Sequence, residues 1–140
     1  MEKDLIVERF IKNFIQKDRR DRADFELKHS KKRALFINRL NHTYNEVLDM
    51  RYFQRLDPKL ENPDSIQKGI NLRDTDSCYV ISHCSEFDDK IIDFKTAFDG
   101  IYGKASGSLI VNLTVDRVYL ETELEFGPQK RYIGKRLDLK

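Results

Sequence analysis

The stretch CYVISHCSEFDD, Cys78 to Asp89, sets two thiols, an imidazole and three carboxylates within a dozen residues. Those side chains can ligate a metal or activate a sulfur nucleophile. A structural zinc site draws paired ligands separated by two to four residues. Cys78 and Cys84 have five residues between them, and the chain has no other cysteine or close histidine pair. A Cys84 thiolate activated by His83 or by a distant histidine is the nucleophilic alternative. The pattern also reads as a strand. Cys78, Val80 and Ser82 alternate with Tyr79, Ile81 and His83, and both faces begin apolar, as in a central strand. Glu86, Asp88 and Asp89 then have the composition of a turn. The expectation is that Cys78 is buried in a central strand and that Cys84 is neither a zinc ligand nor its disulfide partner. No metal or cofactor is expected.

The remaining candidates are more scattered. His29 falls on an apolar helical face, and His42 lies off that face beside Asn41. Glu121 and Glu123 project from one strand face, outward in this reading. They suit an acid–base pair or cross-strand pairing with Lys130, Arg131 or Lys135, and as an acidic strand face both are candidate binding residues. GIYGKASG precedes a strand and makes no phosphate loop, and there is no nucleophile elbow. The densest charge is the band from Lys17 to Arg39, with nine cations against four anions. Its candidate binding residues are Arg19, Arg20, Arg22, Lys31, Lys32 and Arg33. Phe25 and Phe36 within it can stack on bases, although both fit a buried helix face better.

The elements that must position these groups follow from periodicity. Ile6, Val7, Phe10, Ile11, Phe14 and Ile15 share half of a helical cylinder over about 2–17. Phe25, His29, Phe36, Leu40 and Val47 share a face if the next segment is one helix; Ser30 marks a possible break into two. Asn62 and Pro63 start a short helix, as Asp93 does for Phe94, Ala97, Phe98 and Ile101. GSLIVNLTV and RVYLETEL alternate as strands, with Leu109, Val111, Leu113, Val115, Val118 and Leu120 inward. EFGPQ reads as a turn and KRYIGKR as an edge strand. The fold class is α+β: N-terminal helices on a C-terminal antiparallel sheet of three to five strands with one additional helix. One domain is expected over 1–140, helical to about 72 and sheet-rich over about 76–137.

Composition narrows the function. The 140 residues are 36% charged, yet the formal net charge is only +2, so total charge selects no partner. No apolar run approaches a membrane span, the acidic amphipathic start is unlike a signal peptide, and two cysteines suit a reducing cytoplasm.

The segments KDRRDRADFEL, KKRALFINRLNH, CYVIS, SEFDD, DFKTAFDGIYG and RYIGKR together resemble an uncharacterised family of small bacterial proteins. That family has no assigned activity, so the resemblance implies no catalytic residue. The leading expectation is a non-enzymatic cytoplasmic module that binds another protein through a charged face. Nucleic-acid binding through the band 17–39 is the alternative, and a small hydrolase with a non-standard site is the third.

Overall fold

A computed structural model describes residues 2–104, 106–123 and 129–136, with Leu60 described by its backbone alone. The expected turn over 125–129 lies outside these residues except for Gln129. The chain begins with α1 (Lys3–Phe14), α2 (Arg20–Lys28) and α3 (Arg33–Val47), followed by β1 (Phe53–Arg55) and α4 (Pro63–Ile70). Next come β2 (Ser77–Ser82), β3 (Lys90–Asp93), α5 (Phe94–Ile101), β4 (Ser108–Asn112), β5 (Arg117–Glu121) and β6 (Arg131–Lys135). The strands form one antiparallel sheet in the order β1-β6-β5-β4-β2-β3. The protein is α+β.

Strand alternation sorts the apolar residues into two cores. Tyr79, Ile81, Leu109, Val111, Val118 and Leu120 face α1, α2 and α3. Cys78, Val80, Ile110, Tyr119 and Ile133 face Ile66 and Ile70 of α4 and Phe94, Ala97 and Phe98 of α5. The helices have local reasons to start where they do. Asn62 Oδ1 accepts from Ser65 N at 2.9 Å to cap α4, and the left-handed Asn71 ends it. Asp93 accepts from Thr96 N at 2.9 Å to cap α5. The second helical segment breaks: α2 and α3 are separated by residues 29–32, as the serine there suggested.

Three expectations are corrected. The sheet has six strands, not three to five, because β1 and β3 join as short edge strands. β1 packs against β6 where Gly134 leaves room for the Phe53 ring; a Cβ there would lie 2.8 Å from it. The helix begun at Asn62, expected with the N-terminal helices, packs instead beside α5 on the second face, so two helices and not one additional helix cover it. That extra cover is why Glu121, expected to face solvent, is fully buried. Val115 is inward as expected, but in the β4–β5 turn at φ 57°, a strained conformation for a β-branched residue. Burial and a 2.9 Å bond from Asn13 Nδ2 to its carbonyl hold it there.

Phe14 of one core and Phe98 of the other are buried at 0% and 6% exposure. Truncating either to alanine should cost about 3–5 kcal/mol. Chemical denaturation of both variants is expected to show one transition lowered by that amount. Two separate transitions, each shifted by only one variant, would instead mean that the layers unfold independently.

Candidate functional site

The CYVISHCSEFDD stretch is a strand followed by a latch. Cys78 is buried, and its Sγ donates to the Ile92 carbonyl at 3.4 Å. Burial, reinforced by the charge of Asp93, pushes its thiol up to about 12, which makes it an inert core group at neutral pH. Both cysteines are free, and Cys84 is half-buried. The acidic end reaches back to the helices. Arg33 Nε and Nη2 donate to Asp88 Oδ2 and Oδ1 at 2.8 and 2.7 Å, a bidentate pair. Arg33 Nη1 also donates to the Leu27 carbonyl at 2.9 Å and to the Tyr79 hydroxyl at 3.0 Å. Tyr79 in turn donates to Asp89 Oδ1 at 2.6 Å, and Asp88 Oδ1 accepts from Ser82 N at 3.0 Å. One guanidinium thus ties together α2, α3, β2 and the loop after β2.

This placement corrects the reading of the basic band. Arg33 is buried and structural, not a surface cation. Arg20 caps α1, donating to the carbonyls of Lys12 and Ile15 at 3.0 and 3.3 Å. Lys28 pairs with Glu8 and Asp24, and Arg39 with the buried Glu26. Arg19 is half-buried, while Arg22, Lys31 and Lys32 are exposed. Phe25 also departs from expectation. It is 49% exposed and lies 4.6 Å from the His29 ring, which is exposed too. The break at 29–32 re-phases α3 relative to α2, so Phe36 and Leu40 stay buried while Phe25 and His29 turn outward.

The two strand glutamates separate. Glu121 sits directly across from Arg131, the cross-strand partner expected, but inside the protein. Its Oε1 accepts from Tyr119 Oη at 2.7 Å and from Arg131 Nε at 3.3 Å. Gly103 N also donates to both of its carboxylate oxygens, at 3.2 and 3.1 Å. Arg131 Nη1 reaches Glu61 Oε2 at 3.2 Å, and its guanidinium lies 4.6 Å from the Tyr102 ring centre. Burial first, and the Glu121 charge second, raise the Tyr119 hydroxyl well above its ordinary value and keep it a donor. Glu123 is half-buried, with its Oε2 3.4 Å from His42 Nδ1. The two carboxylates therefore face different partners and form no acid–base pair.

A cleft of about 600 Å³ opens where the latch joins α3 to the loop after β2. One wall is α3, with Ala34, Leu35, Ile37 and Asn38; the other carries His83, Ser85 and Asp88. Its floor includes Ser82, whose hydroxyl is 2.8 Å from that of Ser108 across the β2–β4 ladder. Asn41 Oδ1 accepts from Gly107 N at 2.5 Å and closes one end. Leu35 is 47% exposed. The facing loop belongs to the CYVISHCSEFDD stretch singled out above, whereas Leu35 was not among the candidates, although an apolar residue out of phase with the buried α3 face could have marked it. Among the described residues no histidine hydrogen-bonds a serine or cysteine, and no cluster of three metal-ligating side chains forms. No helix among them is long and apolar enough to cross a membrane. Comparison with protein-family models, curated proteins and solved structures finds no match for this chain.

Removing Asp88 would strip the buried Arg33 of its bidentate partner. Asp88→Ala is expected to destabilise the protein by about 3–5 kcal/mol, the scale for breaking a buried pair. Urea unfolding checks this, and a loss below about 1 kcal/mol would place the pair with surface bridges.

Proposed function

We propose that this chain is a non-enzymatic protein-binding or regulatory module whose partner docks on the α1–α3 layer. The observation that carries the reading is Leu35, half-exposed on the wall of the α3 cleft. The other exposed large hydrophobic side chains among the described residues, Leu5 and Phe25, are on the same helical layer. A cleft with an apolar wall and a few polar groups can receive an anchoring side chain of a docking protein. The charges left exposed on the layer, among them Arg22, Lys31 and Lys32, suit steering of a partner into register.

Nucleic-acid binding is the second reading, and one observation favours it. Phe25 is exposed beside His29 on the helix that carries Arg22, so a stacking surface and cations lie on one element. Against it, Arg20, Lys28, Arg33 and Arg39 of the basic band are engaged within the protein. The remaining cations neutralise few phosphates.

Photocrosslinking in the source cells separates the two. A photoreactive residue at position 35 should yield protease-sensitive, nuclease-resistant adducts, whereas one at the exposed Lys68 on α4 should yield none. Equal or absent adducts at the two positions would contradict the reading. Nuclease-sensitive adducts at position 35 would replace it with nucleic-acid binding.

A further inference from the structure

We infer that the occupant of the α3 cleft is an acidic peptide segment with an apolar anchor, supplied by a protein partner. The inference rests on the reading above that the α1–α3 layer is a docking surface. It adds the chemistry of what docks.

The anchor follows from the wall. Ala34, Leu35 and Ile37 present aliphatic surface to the cleft, and a leucine 47% exposed retains apolar area that a partner side chain can cover. Burying such area is favourable by about 25 cal/mol per Å². The wall is aliphatic, and the exposed aromatic residue of this layer, Phe25, is not among the residues lining the cleft. Inside the cleft the one ring among the lining residues is the His83 imidazole, a smaller stacking platform than a phenyl or phenol ring.

The acidity follows from the charges around the opening. Ser30 lines the cleft, and the two residues after it, Lys31 and Lys32, are exposed and make no ion pair among the described residues. The carboxylates that might have matched them are already engaged. Both oxygens of Asp88 are taken by Arg33, Asp89 is held by Lys3, Arg33 and Tyr79, Asp24 holds Lys28, and the buried Glu26 holds Arg39. Glu86 on the facing loop is exposed without such a partner, so two lysines stand against one carboxylate. The buried pairs cancel their own charges, and the two lysines, exposed between the lining residues Ser30 and Arg33 in the chain, carry the uncompensated positive charge of this segment. Two lysines suit one or two side-chain carboxylates better than a polyphosphate chain, whose affinity grows with each phosphate neutralised. Asn38 and Ser85 on opposite walls supply donors and acceptors for a peptide backbone crossing between them.

Fluorescence polarisation with synthetic probes tests this. The probe is a labelled peptide of alternating glutamate and leucine pairs. Its controls carry lysine for glutamate or serine for leucine, and a labelled oligothymidine is the nucleic-acid control. The glutamate–leucine peptide should bind, and the controls should not. Added salt should weaken that binding. Lys31→Glu with Lys32→Glu should weaken it about tenfold or more, as should Leu35→Ser, while Lys68→Glu on α4 should leave it unchanged. Equal binding of the lysine peptide, salt-insensitive binding, or an equal loss in Lys68→Glu would overturn the assignment. Binding of oligothymidine alone would also overturn it. Should Leu35→Ser fail to fold, the serine-for-leucine peptide tests the anchor on the wild-type protein. Crosslinks at position 35 without acidic-peptide binding would defeat this inference and leave the docking surface standing. Absence of both would defeat the two together.

Discussion

The pairing of Arg33 with Asp88 is the constraint on which the rest of this surface depends. A guanidinium withdrawn from water costs several kcal/mol unless every donor finds a partner. Here the donors meet a carboxylate in bidentate geometry, a main-chain carbonyl and a tyrosine hydroxyl. Because those partners come from α2, β2 and the loop after β2, satisfying one side chain brings three pieces of chain to the start of α3. The cleft is the gap left beside that junction, with Arg33 and Asp88 both in its lining. Its shape is thus set by a buried electrostatic contact, next to which Lys31 and Lys32 stay exposed.

Arg131 plays the corresponding part on the opposite face of the sheet. It links β6 to Glu121 and Tyr119 of β5 and to Glu61 ahead of α4, while stacking over Tyr102 just past α5. Each helical layer is therefore joined to the sheet by apolar packing in the middle and by one buried arginine near its margin. Such networks cost more to build than an apolar core of equal volume, and one thing they supply is a single register. A slipped pairing of β5 and β6 would part Glu121 from Arg131 and bury both charges alone.

Much of this architecture was legible in the sequence because the relevant signals are local. The caps at Asn62 and Asp93, the alternation through Cys78–Ser82 and the periodicity of α1 each act within a few residues, and all appear in the structure. β1 and β3 were not legible, since three or four residues carry too little alternation and their pairing partners are set by tertiary contacts. Arg33 stands beside Lys31 and Lys32 and looks equivalent to them. What separates them is the phase of α3, which begins at Arg33 and turns it inward. Glu121 follows the outward phase of an alternating strand, and only the cover of α4 and α5 makes that phase an interior one. In both cases the error lay in burial, which depends on what packs opposite.

The proposed docking site is the junction of α3 with the loop after β2. Amide hydrogen exchange of the full chain, with and without a saturating glutamate–leucine peptide, measures this most directly. Slowed exchange confined to residues 30–41 and 82–88, with α4 and α5 unchanged, is expected if the partner segment sits there. Slowing centred on α4 and α5, or spread evenly over the chain, would contradict it.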